Sequence, residues 1–294
     1  MCSDNNKEAL SDIPRKNIIE GWVDKVQQEK RNKPTNGSDY LQNQKKHKPA
    51  NAVCNIKESW LKDYGYITPE DEVSNLAEQY RAIKRPLLIN ATGKGPAPIE
   101  NGNLIMVVSA MPGEGKTFTS LNLALSMAME RDTTVLLIDG DVGNPSLSRL
   151  VDLADQPGLT DVLLDSVGLA EVISDSNIRG LKVLPAGQIH PNSTELLASD
   201  RMVALTKELA TRYPNRIVLF DSPPLLITSQ AAVLAHQVGQ IVVVVDAGET
   251  PQQTVIDAIE MLDKNKVIGT VLNKQRWKFG QRYYGYYYGY GSKK

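Results

Sequence analysis

Ala110-Met111-Pro112-Gly113-Glu114-Gly115-Lys116-Thr117 is the stretch on which the reading of this 294-residue chain turns. It has the spacing of a phosphate-binding loop, with alanine in the first glycine position. An aliphatic run at 104–109 precedes it and a long amphipathic stretch at 116–130 follows, the strand–loop–helix order the motif requires. Gly113 and Gly115 let backbone N–H groups converge on phosphate oxygens, and the following helix points its positive end at them. Lys116 offers a mobile cation to the β- and γ-phosphates, and the Thr117 hydroxyl is placed to ligate Mg2+. A chance glycine turn would not bring lysine, threonine and both flanking elements in this order. Residues 110–117, with Phe118 next in the chain, are the expected nucleotide contacts.

Outward from the loop, short aliphatic runs without polar alternation recur at 134–139, 181–185, 217–221, 241–246 and 267–272. Such runs read as strands buried on both faces of a parallel sheet. Helix-like segments lie between them at 193–212, 228–237 and 251–263. The alternation predicts an α/β fold over residues 87–273, a P-loop NTPase three-layer sandwich with a mostly parallel central sheet. Upstream, 73–85 reads as a helix closed by Pro86 and carrying Glu78, Arg81 and Lys84, with a separate element set at 71–86. By spacing alone those charges are a solvated helix face with an i, i+3 pair.

Among the predicted strands, the run 217–220 ends in Asp221 and the run 135–138 in Asp139-Gly140-Asp141. In a parallel α/β sheet the carboxyl ends of the strands line the ligand crevice, which sets these groups near the loop. A lone aspartate after an apolar strand is usually a cap or a turn residue. Three beside a phosphate loop point to support of Mg2+ and to acceptance of a proton from an incoming hydroxyl.

Composition narrows the classes. The net charge of −1 gives no overall pull toward nucleic acid or an anionic membrane, and no nucleic-acid partner is expected. Cys2 and Cys54 alone make no disulfide framework, which suits a reducing cytosol. No secretory h-region is visible, and no run approaches the roughly 18–20 apolar residues that cross a bilayer. The expectation is a cytoplasmic protein brought to membranes only by a partner. Residues 1–70 are polar, with few apolar runs, and are expected to be disordered or to serve as a docking arm. The segment 274–294 carries six basic side chains and no acidic one, together with Tyr283, Tyr284, Tyr286, Tyr287, Tyr288 and Tyr290. That segment has no apolar periodicity and is expected to be flexible. It reads either as a sticky tail for RNA or self-association, or as a substrate.

Together these features resemble the bacterial protein-tyrosine kinases of exopolysaccharide synthesis. The matching residues are the loop 110–117, Asp139-Gly140-Asp141, Asp221-Ser222-Pro223-Pro224 and the terminal tyrosine cluster. Further matches are 158–163, 184–187 with Glu195-Leu196-Leu197, and 271–273. The resemblance covers about residues 72–294 and is strongest to free-standing autokinases of exosortase-linked systems. It implies ATP as phosphoryl donor, Lys116 on its phosphates, Thr117, Asp141 and Asp221 around Mg2+, and Asp139 as the base that receives the tyrosine proton. It implies Asn273 beside the adenine ring and the six tail tyrosines as autophosphorylation sites. Glu78, Arg81 and Lys84 become a contact in a ring-like homo-oligomer, with an octamer as the ring size to test. A separate transmembrane polysaccharide co-polymerase as activator, a tyrosine phosphatase and recruitment to the inner face of the cell membrane are implied as well. Gly143 departs from the arginine often found two residues after the second aspartate. Two other classes compete: a partition-type ATPase, whose signature lysine would stand where this chain has Met111, and a nucleotide-sensing adaptor without catalysis.

Overall fold

The computed structural model describes residues 53–68, 74–213 and 215–275. The expectations for residues 1–52 and for the six tail tyrosines lie outside them.

Helices α1 (Glu58–Asp63) and α2 (Asn75–Ala91) lead into β1 (Leu104–Ser109), and the phosphate loop joins β1 to α3 (Lys116–Ala128). Then follow β2 (Thr134–Asp139), three short helices α4 (Ser146–Leu150), α5 (Leu159–Leu163) and α6 (Leu169–Val172), and the strands β3 (Ser174–Asp175) and β4 (Leu181–Leu184). Next come α7 (Ser193–Leu197), α8 (Asp200–Thr211), β5 (Arg216–Asp221), α9 (Ser229–Gln237), β6 (Gln240–Asp246), α10 (Gln252–Glu260) and β7 (Val267–Asn273). The strand order is β3-β4-β2-β5-β1-β6-β7, parallel throughout except for the β3–β4 pair. From β1 the chain moves one way to β2 and later returns to lay β6 on the other side. A ligand crevice belongs at the carboxyl end of β1, where that direction switches.

Every residue of β1 is buried. Leu104, Met106 and Val108 join Phe220, Leu234 and Leu209 on the face covered by α8, α9 and α10. Ile105 and Val107 face the other way, with Leu121, Leu125, Tyr80 and Leu61 from α3, α2 and α1. Burying an aliphatic side chain of this size contributes about 1.5–3 kcal/mol, so the aliphatic runs hold the sheet between two helical layers.

Four expectations change. The strand β7, read as buried on both faces, lies at the sheet edge with Gly269, Thr270 and Leu272 exposed. Residues 53–68 are not a loose polar segment: Cys54, Ile56, Leu61, Tyr66 and Ile67 are buried. The Cys54 N–H donates to Asp175 O at 2.8 Å, Ile67 N–H donates to Asn122 Oδ1 at 2.8 Å, and the Tyr66 ring lies 4.8 Å from that of Phe118. Helix α2 runs through Pro86 to Ala91, because its buried face, Ala77, Tyr80, Lys84 and Leu87, continues across the proline against α3. The single helix expected at 193–212 is two, since the Ser199 hydroxyl accepts from Met202 N–H and starts α8 anew.

Candidate functional site

The phosphate loop is built from the end of β1 and the start of α3. Gly113 and Gly115 sit at φ 86° and 93°, a left-handed backbone that side chains disfavour. Glu114, although charged, is buried, and its carboxylate accepts from the Met111 N–H at 2.6 Å and from the Thr250 hydroxyl. Asn273 Nδ2 donates to Glu114 O at 2.9 Å, so the residue expected beside adenine is in contact with the loop itself. Phe118, expected among the nucleotide contacts, turns its ring toward Tyr66 in the core behind α3.

The strand tips converge as the sequence implied. Asp139 and Asp221 are register partners across β2 and β5, both fully buried. Asp139 Oδ2 accepts from the Ser148 N–H and hydroxyl, each at 2.7 Å, and Oδ1 accepts from Asp141 N–H at 3.2 Å. Burial, with the negative charge of Asp221 next, pushes the Asp139 carboxyl up to about 7 against the restraint of the Ser148 hydrogen bonds. Asp221 Oδ1 accepts from the Ser120 hydroxyl at 2.9 Å, while Oδ2 is buried without a hydrogen-bond partner among the described residues. Burial pushes Asp221 up to about 6, held back by Lys116 and by the Thr117 and Ser120 hydroxyls. Asp141 Oδ2 lies 3.6 Å from Lys116 Nζ, and Oδ1 accepts from Asn144 N–H at 3.0 Å. Burial also raises Asp141, and Lys116 offsets part of that.

Lys116, Thr117, Asp141 and Asp221 therefore face one another, with Asp139 alongside. Carboxylate and hydroxyl oxygens are the donors Mg2+ takes, and a buried carboxylate oxygen lacking a donor is suited to a cation. Among the described residues no group of three acidic, histidine or cysteine side chains could hold a metal ion alone. Mg2+ usually takes one or two carboxylates and completes its shell with water and substrate phosphates, so the residues present fit it.

Sequence reasoning missed Ser148, Ser120 and the Glu114 carboxylate. It also left open what replaces an arginine at Gly143. Arg149, on α4, supplies positive charge that lowers Asp141 from close by, and its guanidinium donates to Asn144 Oδ1 at 2.7 Å. On α2, Glu78 and Arg81 form an exposed ion pair. Lys84 does not join them: it is buried, donates to Ser126 O at 2.6 Å and pairs with Glu130 at 2.7 Å.

A family model described as an AAA domain matches residues 102–274. Tyrosine-protein kinase YwqD of Bacillus subtilis is 34% identical over 72% of this chain and 86% of its own length. Tyrosine-protein kinase CpsD of Streptococcus pneumoniae is 34% identical over 65% of this chain and 84% of its own. The solved kinase domain of the Escherichia coli tyrosine kinase ETK superposes with a TM-score of 0.60 at 26% identity, covering 79% of this chain and 95% of that one. The match runs through the phosphate loop, the aspartate-tipped strands β2 and β5 and the end of β7, and with it the chain belongs to the bacterial protein-tyrosine kinase family.

Proposed function

We propose that this protein transfers the γ-phosphoryl group of ATP to tyrosines of its own C-terminal tail, Tyr283, Tyr284, Tyr286, Tyr287, Tyr288 and Tyr290. The observation that carries the reading is the gathering of Asp139, Asp141 and Asp221 around Lys116 and Thr117 at the end of β1. Loop N–H groups and Lys116 hold the phosphates. Thr117, Asp141 and Asp221 would hold Mg2+, directly or through water, and the ion would neutralise charge building on the transferred group. The tyrosine oxygen attacks the γ-phosphorus, the bond to the β–γ bridging oxygen breaks, and ADP leaves. The phenolic proton passes to Asp139, whose affinity near 7 suits a base working at neutral pH. Its Oδ2 is fixed by Ser148, so the proton arrives at a carboxylate whose position does not drift.

Charge gives the tail a reason to come and a reason to go. Six basic side chains and no acidic one draw 274–294 toward a crevice of carboxylates and nucleotide phosphates. Each phosphate adds about −1.5 to −2, so several reverse the sign and expel the tail. About ten residues beyond Asn273 reach at most ~35 Å, far enough for the crevice of a neighbouring subunit. That reach also allows the chain's own crevice; the family resemblance favours transfer between subunits of a ring, with Glu78 and Arg81 on its contact face and phosphorylation loosening it. No helix among the described residues is long and apolar enough to cross a membrane. A separate transmembrane polysaccharide co-polymerase would recruit and activate the kinase at the inner membrane face, a tyrosine phosphatase would reset it, and export of an exopolysaccharide would be the process controlled.

The test is purified protein with Mg2+ and ATP, with and without the partner's cytoplasmic segment, blotted for phosphotyrosine. Label that disappears in Lys116→Met and in a full chain with all six tail tyrosines changed to phenylalanine supports the proposal. ADP release without label would move it to the partition-type ATPases, and neither signal with the partner present would leave a nucleotide-sensing adaptor.

A further inference from the structure

Two successive carbonyls of the phosphate loop are gripped from outside it. Lys274 Nζ donates to Gly113 O at 2.6 Å, and Asn273 Nδ2 donates to Glu114 O at 2.9 Å. A trans peptide is planar, with its N–H pointing opposite to its C=O, and the described residues contain no cis peptide. Drawing these carbonyls toward the end of β7 therefore turns the N–H groups of Glu114 and Gly115 the other way. In a loop of this class the N–H groups that point inward are the ones that receive phosphate oxygens.

The grip is itself anchored. Lys274 Nζ also pairs with Asp246 Oδ2 at 2.9 Å, at the end of β6, where the Asp246 side chain is only 10% exposed. Asp246 is held from its own loop, since Oδ1 accepts from Gly248 N–H at 3.2 Å. Lys274 reaches this position with φ at 56°, a backbone that non-glycine residues rarely adopt. Asn273 sits so close to the loop that a Cβ on Gly115 would fall 2.0 Å from its Nδ2. The glycine is required as much for this contact as for its left-handed turn.

We infer that Lys274 is a positioning residue for phosphate binding: with Asn273, and anchored by Asp246, it holds the Gly113 and Glu114 carbonyls outward so that the next two N–H groups face the nucleotide. The inference rests on the ATP reading and deepens it. Lys274 is also where the tyrosine-rich segment leaves β7, so the residue that starts the tail shapes the nucleotide site.

The experiment measures the dissociation constant of Mg·ADP, and KM and kcat for ATP, on the full-length chain and on Lys274→Met, Lys274→Arg and Asp246→Asn, with melting temperatures alongside. One lost hydrogen bond from a charged donor corresponds to roughly a tenfold weakening, expected for Lys274→Met in both the dissociation constant and KM, with kcat at saturating ATP within about twofold of wild type. Lys274→Arg should restore most of the affinity, which separates loss of the grip from failure to fold. Asp246→Asn decides between a grip and plain attraction of Lys274 for phosphate. Releasing the grip weakens binding by roughly threefold, whereas removing a negative charge beside a polyphosphate would tighten it. Unchanged affinity in Lys274→Met, or tighter binding in Asp246→Asn, overturns the inference. A wild-type chain that binds no Mg·ADP would instead overturn the functional reading beneath it.

Discussion

The tips of β2 and β5 carry the same signature, an aliphatic run ending in aspartate, and lie side by side with Asp139 opposite Asp221. Their surroundings differ. At β2 both carboxylate oxygens are occupied by donors, two of them from Ser148. At β5 one oxygen meets Ser120 and the other is buried with no hydrogen-bond partner among the described residues. A satisfied carboxylate stays where it is and can take a proton; a buried one with an unmet oxygen gains by a cation. Under the proposed function, one sequence pattern would supply two chemical tools, assigned by the environment and not by the strand.

The largest expected effect removes what both tips share. Lys116 lowers both Asp141 and Asp221, and Lys116→Met should cut tail phosphorylation by roughly a thousandfold or more, read as initial rates of phosphotyrosine formation. The next pair of variants tests whether the tips differ. Asp139→Asn should lower kcat by about a hundredfold to ten-thousandfold while Mg·ADP affinity stays within a few fold. Asp221→Asn should instead raise the Mg2+ concentration needed for nucleotide binding by roughly tenfold, the scale of one charged ligand contact. If the two variants show the same pattern, the division of labour is wrong.

The pH dependence of stability is a smaller effect. Both folded carboxyls lie above the ordinary value of 3.8, at about 7 and about 6, so between roughly pH 4 and 7 the native state binds more protons than the unfolded chain. Stability of the nucleotide-free protein should therefore fall as pH rises through that window, by on the order of 1–4 kcal/mol per group. Melting temperatures from pH 5 to 8 check the slope. Asp221→Asn should flatten it, and Mg·ADP should reduce it by favouring the ionised carboxylates.

The sequence was most legible where one residue type answers one demand. Strands buried on both faces can only be short aliphatic runs, and those of β1, β2, β4, β5 and β6 stood out with the loop and its aspartates; β7 was legible as a strand, but at the sheet edge its aliphatic run stays partly exposed. Lys84 was misplaced by spacing. At 3.6 residues per turn it lies about 120° round the helix from Glu78, at the buried edge of a hollow that Glu78, Arg81 and Lys84 all line, so it is not on the solvated face that spacing suggested. The residues 53–68 were hidden by polar composition, although Trp60, Leu61, Tyr66 and Ile67 were the signal that a packed element was present. Glu114 occupies a motif position that spacing leaves unspecified. Its role follows from Thr250, 136 residues away, which no local pattern reveals.

Ser148 was invisible for the same reason, and it gives the finest test of how the β2 tip works. Its hydroxyl donates to Asp139 Oδ2 at 2.7 Å and accepts from Ala186 N–H at 3.0 Å, tying the carboxylate to the loop after β4. That donor favours the ionised form, so Ser148→Ala should push Asp139 above its present value near 7 by up to about one unit, the equivalent of one hydrogen bond. A base must be ionised to accept the tyrosine proton, so the rising limb of the pH–rate profile should move to higher pH by the same amount. Activity would fall severalfold near pH 6.5 and return to nearly the wild-type rate by about pH 9. Loss of packing alone would lower the whole curve without displacing it. A curve lowered but not shifted would take Asp139 out of the proton transfer and leave it a structural partner of Ser148.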